Sequence, residues 1–356
     1  MKVFIISLMV LFSFVNASVL KGKIDRYTVL MLLDEDRKIY SYKGHLVGIK
    51  LISKGDKKLC EYKLGEEEEQ EVTACFYGEL KEKTFSGVWR KLGSKKGLKF
   101  NLKVLTPPKS KNKYAETYTS EEFYYDLVEK GIKFKDIKKI KKIKSLKTTA
   151  KLELVTQIKR ARVVLKNKNV QNKINAYLDN LHKEEVIKQI YCIDGVEYLT
   201  TKDMLDEIGD DMEVEYNKKP FLLLSYSGSI SCEGAHPNNY YDQYLFDINS
   251  GKEIDLVSMF NIYDVKRENT NPKFKELISR YLEEDAKDCY DKNANYQSFA
   301  LYPAKGKKLK VRLQGMGHAM FACESEPIAY IPIKELKPLA KNKAFDYFDF
   351  KPFYKR

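Results

Sequence analysis

Hydrophobic and polar positions alternate with a period of two through the first third of the chain. Between Tyr27 and Leu105 the segments TVLMLL, HLVGIKLIS, VTACFYGEL, FSGVWRKL and GLKFNLKVL are broken by Lys54-Gly55-Asp56, Gly65 and Gly93. Alternation puts every second side chain on one face of a strand and the glycines supply turns, so residues 18–105 are predicted to form a small all-β domain. Gly78 and Gly87 fall where strands bend or pack closely, and Trp89, the only tryptophan, is expected as a core anchor. The run Glu66 to Glu69 reads as a solvated hairpin tip or, as the alternative, a cation site; adjacent strand residues splay apart, which favours the first.

The pattern then changes. Thr106-Pro107-Pro108-Lys109-Ser110-Lys111-Asn112-Lys113 has a linker's composition. Ser120 ahead of Glu121, Glu122, Phe123 and Leu127 suggests a helix start. In KFKDIKKIKKIKSLK, from Lys133 to Lys147, isoleucines recur three apart; a short amphipathic helix or an edge strand could offer those lysines to anionic lipid or polysaccharide, or simply to water. Val170, Ile174, Leu178 and Leu181 recur at helical spacing, with His182 at the helix end in a capping or surface role. YCIDGVEYLTT and PFLLLSYSGSISC read as strands, and Asn249-Ser250-Gly251 as a hairpin turn between Tyr244–Ile248 and Lys252–Leu256. Phe274, Leu277, Ile278 and Tyr281 mark another helix, and the strands after Cys289 close the sheet before Pro338. This order predicts an α+β domain over 114–338, with halves of about 114–220 and 221–338, an antiparallel sheet and packed helices, followed by a tail over 339–356.

Composition adds a compartment. Lys2, the apolar run Val3 to Val15 and Val15-Asn16-Ala17 read as a signal peptide over residues 1–17, too short for a comfortable membrane span, so no transmembrane segment is expected after cleavage. A periplasmic or secreted location makes disulfides the default for the six cysteines, and neighbours are the expected pairs among fifteen possible pairings: Cys60–Cys75, Cys192–Cys232 and Cys289–Cys323. The formal charge of +14 is mostly scattered lysine, which argues against nucleic acid as a partner and leaves anionic envelope surfaces.

The most specific stretch is GSISCEGAHPNNYYDQYLFDINSGKEIDLVSMF, from Gly228 to Phe260. Gly234-Ala235-His236-Pro237-Asn238, the tyrosines after it and Phe246-Asp247-Ile248-Asn249-Ser250-Gly251-Lys252 resemble the signature of a bacterial extracytoplasmic domain family. Its members occur in lysozyme-sensing anti-sigma-factor ectodomains and as the accessory region of peptidoglycan deacetylases. The resemblance spans about Tyr114 to Pro338, and Glu233 stands where the family has its first glycine. It implies the fold; one scaffold serves several roles.

Candidate chemistry is sparse. Cys232, His236, His318 and Cys323 are ligand types that zinc prefers, but oxidation competes for both cysteines, so no metal or other cofactor is expected. Hydrolase elbows, zincin helices and phosphate-cradling glycine loops do not occur in the chain. The expectation is a non-catalytic envelope binding protein, its ligand a cell-wall polymer or an envelope protein. His236, Asn238, Tyr240, Tyr241, Tyr244 and His318 are the candidate contacts, the tyrosines as a loop of rigid aromatic surface. Lysozyme binding or inhibition is one alternative, and a deacetylase or hydrolase with its site near His236 and His318 is the other.

Overall fold

The computed structural model describes residues 17–55, 58–64, 70–108, 119–154, 156, 158–195, 210–230, 238–264, 269–292, 294, 297–316 and 321–350. Eight strands come first: β1 (Ser18–Ile24), β2 (Tyr27–Leu33), β3 (Lys38–Tyr42), β4 (Ile49–Ser53), β5 (Lys58–Leu64), β6 (Gln70–Lys81), β7 (Thr84–Lys91) and β8 (Leu98–Val104). Each pairs antiparallel with the next, and β8 pairs back onto β1 to close a barrel. Closure removes both free edges. Its interior is filled by Leu20, Met31, Tyr40, Phe76, Phe100 and their neighbours, each fully buried aliphatic or aromatic side chain contributing about 1.5–3 kcal/mol. The wall is tight where glycines face strands: a Cβ on Gly22 would lie 2.0 Å from the Asn101 carbonyl oxygen, and one on Gly87 2.1 Å from that of Tyr77. Cys60 and Cys75 are directly opposed on β5 and β6 and are bonded.

The barrel is apolar outside as well as inside along β1 to β3, which is why TVLMLL is nearly continuous rather than strictly alternating. Val19, Leu32 and Ile39 point outward onto Phe123, Tyr124, Val186 and Ile190. The first two of those partners sit on α1 (Ser120–Glu129), opened by a capping box in which the Thr119 hydroxyl accepts from the Glu122 N–H at 3.1 Å while the Glu122 carboxylate accepts from the Thr119 N–H at 2.8 Å. The other two sit on α2 (Lys168–Gly195). Between these helices, β9 (Phe134–Ile143), β10 (Leu146–Glu153) and β11 (Lys159–Val164) form a three-stranded sheet in the order β11-β10-β9.

A second three-stranded sheet, β12 (Asp210–Lys218), β13 (Phe221–Ile230) and β14 (Asn238–Asp247), has both faces covered. Leu222, Leu224 and Tyr226 turn toward Val170, Ile174 and Leu178 of α2. Phe221 and Leu223, one residue out of phase, join the opposite core with Phe299, Val311 and Phe348. That core includes α3 (Pro272–Arg280) and the third sheet, β15 (Ser298–Ala304), β16 (Lys308–Gln314) and β17 (Ala329–Pro332). Asn271 caps α3 by accepting from the Lys273 N–H at 2.9 Å, with Pro272 in its first turn.

The expected α+β class is overturned. Strand dominates the described residues, the amino-terminal domain is a closed barrel, and the remainder holds three separate three-stranded sheets rather than one sheet with packed helices. Local patterning specifies strands but not which of them pair, and pairing sets the class. Three local expectations also change. Tyr191 to Gly195 extend α2 instead of starting a strand. His182 lies inside that helix and is buried, its Nε2 3.1 Å from the Ile158 carbonyl oxygen and its ring 4.6 Å from that of Phe134. Beyond Pro338, Leu339, Ala344, Phe348 and Phe350 are buried in the main core.

Candidate functional site

Strand β14 separates the tyrosines that the sequence grouped as one loop surface, because neighbouring strand residues face opposite ways. Tyr244 packs edge-on to Tyr177 of α2 at 5.8 Å and to Tyr226 at 5.9 Å. Tyr240 shares its side of the strand, whereas the Tyr241 hydroxyl, on the other side, donates to Glu215 Oε1 at 2.5 Å. Asn238 opens β14 opposite Ile230. His236, His318 and Cys232 lie outside the described residues. Cys323 is bonded to Cys289, which removes one thiolate from the four-ligand zinc set. Cys192 is also disulfide-bonded, and its expected partner Cys232 is outside the described residues. Among the described residues no cysteine is free and no group of three or more His, Cys, Asp or Glu could hold a metal ion.

A polar cluster sits between the second and third sheets. Val214 pairs with Leu224 and Tyr216 with Leu223, so β12 advances two residues while β13 advances one, and Glu215 is the extra residue of a bulge. The bulge turns its carboxylate toward the third sheet, where Lys310 donates to Oε2; Tyr241 and Gln243 of β14 donate to Oε1. Arg312 donates to the side-chain amide oxygen of Gln243 and lies 4.4 Å from the Tyr241 ring centroid. Burial alone would raise the Glu215 pKa, but the Lys310 ammonium and the two donors outweigh it and hold the carboxyl below its ordinary value. Burial lowers Lys310 against the pull of Glu215, and burial lowers Arg312. Tyr302 of β15, paired opposite Lys310 of β16, is pushed up to about 12 by burial. Glu215, Lys310 and Arg312 each have a partner within the protein, while the buried Arg312 Nε has none among the described residues.

The barrel mouth is different. The β1–β2 turn, the β3–β4 connection, the end of β7 and the start of β8 surround an opening of about 470 Å³ lined by Tyr27, Tyr42, His45, Trp89 and Leu98, with Arg26 and Lys43 beside them. Tyr27, 47% exposed, meets Tyr42 edge-on at 6.0 Å, and Tyr42 meets His45 at 6.3 Å. Arg26 donates to the Tyr27 hydroxyl at 2.9 Å. Beneath the rings, Glu61 is buried in the barrel and accepts from the Tyr40 hydroxyl at 2.5 Å, from the Trp89 indole N–H and from the Thr73 hydroxyl at 3.5 Å. Burial, and then the Glu61 charge beside it, raise Tyr40 far above an ordinary phenol, so that its proton stays in this bond. Glu61 makes no ion pair among the described residues; its partners are neutral donors that pin the Trp89 ring at the opening.

No family model and no curated protein matches this chain. Among solved structures, it is similar to a DUF3298-family protein from Bacteroides fragilis, at 12% identity and a TM-score of 0.37 over 60% of this chain and 95% of that one. It is also similar to a DUF3298-family protein from Pseudomonas aeruginosa, at 11% identity and a TM-score of 0.29 over 59% of this chain and 92% of that one.

An open barrel end with aromatic walls and a few fixed polar groups is a frequent setting for a small-ligand site. The rings offer flat apolar faces, while Arg26, Lys43 and His45 offer N–H groups at the edge. By its pattern Trp89 is expected in the core, and no local motif marks Tyr27, Tyr42 or His45. The available signal was position: all four stand at strand ends or in the turns beside them, where an inward-facing ring meets solvent.

Proposed function

We propose that this chain is an exported, non-catalytic binding protein of the bacterial envelope that holds a segment of cell-wall glycan in the barrel mouth. The observation behind this reading is the convergence of Tyr27, Tyr42 and Trp89 around an opening of about 470 Å³. Sugar rings present apolar C–H faces to aromatic rings and hydroxyls to polar edges, and such walls supply rigid contact area at low entropic cost. One feature supports an exported chain: the Cys60–Cys75 and Cys289–Cys323 bridges are formed.

Trp89 is the only tryptophan, so its fluorescence reports the mouth directly. Titration with soluble peptidoglycan fragments is expected to shift that emission saturably, and Tyr27→Ala is expected to weaken the apparent affinity about tenfold, the scale of losing one aromatic anchor. Unchanged emission together with no retention on insoluble peptidoglycan would overturn the proposal. Capture by immobilised lysozyme without any response to peptidoglycan would overturn it in favour of a protein ligand.

A further inference from the structure

The lysine-rich segment contributes no residue to the lining of the mouth and has a shape of its own. It forms β9, the edge strand of the β11-β10-β9 sheet. Ile137 pairs with Ala150 and Lys141 with Thr148, so β9 advances four residues while β10 advances two. The stretch 138–140 therefore loops outward, and Ile140 within it is 59% exposed. Lys135, Lys138, Lys139, Lys141, Lys142 and Lys144 flank it, all exposed. The acids nearby are already engaged: Asp136 pairs with Arg162 at 3.5 Å, and Glu213 with Lys144 at 3.7 Å. The other five of those lysines form no ion pair among the described residues.

A long open edge invites strand pairing, but a bulge and a row of like charges obstruct it. A hydrated polyanion would use the lysines and leave Ile140 without a counterpart. A bilayer carrying acidic headgroups offers both halves of the match, phosphate for the ammonium groups and an apolar interior for a protruding isoleucine. We propose that the β9 bulge docks this protein reversibly on the anionic phospholipid surface of the envelope, with Ile140 inserted at the headgroup boundary and Lys138, Lys139, Lys141 and Lys142 around it. The docking is independent of what the barrel mouth binds.

Co-sedimentation of the full chain with phosphatidylglycerol–phosphatidylethanolamine vesicles tests this, with pure phosphatidylcholine vesicles as the control. Pelleting is expected with the first and not with the second. Replacing Lys138, Lys139, Lys141 and Lys142 by Gln is expected to weaken the partition at least about tenfold, since each lysine near an acidic surface carries a sizeable share of the attraction. Ile140→Ser is expected to weaken it about threefold, the scale of withdrawing part of one aliphatic side chain from the boundary. Raising the salt from about 0.1 M to about 1 M, where screening shortens from about 10 Å to about 3 Å, is expected to release most of the protein. These side chains are exposed, so thermal unfolding and the Trp89 signal with peptidoglycan fragments are expected to stay as in the parent. No pelleting, or equal pelleting with phosphatidylcholine, overturns the proposal. So does Ile140→Ser pelleting as the parent does while soluble polyphosphate competes fully, a result that assigns the lysines to a polyanion.

Discussion

Two glutamates lie beneath tyrosines in different parts of the molecule, Glu61 inside the barrel and Glu215 between the second and third sheets. Glu215 meets an ammonium: Lys310 lies against one of its oxygens while Tyr241 and Gln243 occupy the other. Glu61 meets only neutral donors, Tyr40, Trp89 and Thr73. In the first case, the Glu215 charge is met by Lys310 inside the protein and the tyrosine is drawn inward, leaving the carboxylate little with which to recognise a ligand. In the second, the carboxylate holds the ring of Trp89 at an opening, and the outer sides of Tyr27 and Tyr42 remain in reach of solvent. Similar residue types thus give a clasp in one place and a receptor surface in the other. What separates them is whether the facing element supplies a cation or empty space.

The sharpest way to break this contrast is to remove Glu215. Glu215→Leu leaves Lys310 buried without its anion, and breaking such a pair costs about 3 kcal/mol. Urea unfolding is expected to show that loss with the Trp89 response to peptidoglycan fragments intact; a loss below about 1 kcal/mol would remove the clasp role from Glu215.

Another carboxylate is buried where the barrel meets the rest of the chain. Asp194 of α2 accepts from the Gly48 N–H at 2.8 Å and from the Tyr125 hydroxyl at 3.1 Å, and burial still raises it to about 6. The folded chain then keeps a proton that the unfolded chain releases, so Asp194 contributes stability below its unfolded pKa of 3.8 that is lost as pH rises through about 6. His182 acts in the opposite sense. Burial lowers it to about 4, so its contribution is present above 6.5 and is lost as pH falls toward 4. Between about pH 4 and pH 6 the two slopes oppose each other. Asp194→Asn is expected to expose the histidine slope, so that the melting temperature falls on acidification from about pH 7 to about pH 5 by more than in the parent. Parallel curves for the two proteins would refute the Asp194 assignment.

The smallest stability effect is expected at the mouth itself. Tyr27 is nearly half exposed, so Tyr27→Ala is expected to cost below about 1 kcal/mol in urea unfolding while weakening the ligand response. A cost nearer that of Glu215→Leu would place Tyr27 in the barrel's framework and erase the contrast.

Much of the local structure was legible in the residues. TVLMLL, VTACFYGEL and GLKFNLKVL became strands β2, β6 and β8, and the Val170, Ile174, Leu178 face became the buried face of α2. Parity along NNYYDQYLFD separates Tyr241 from Tyr240 and Tyr244 once Asn238–Asp247 is strand throughout. The site at the mouth was not legible, because Tyr27, Tyr42 and Trp89 come from three strands that meet only when β8 returns to β1. The Glu215–Lys310 contact joins residues 95 positions apart, with no local signal linking them.

The sequence by itself determined the strand and helix periods, the even set of cysteines and the lysine-rich segment, since each depends on neighbours a few residues away. Tertiary structure alone decided that the first eight strands close into a barrel, that the remainder splits into three sheets, and that one tyrosine cluster is sealed while the other stays open. Those outcomes depend on which edges and faces meet, a competition among distant surfaces that local spacing does not record.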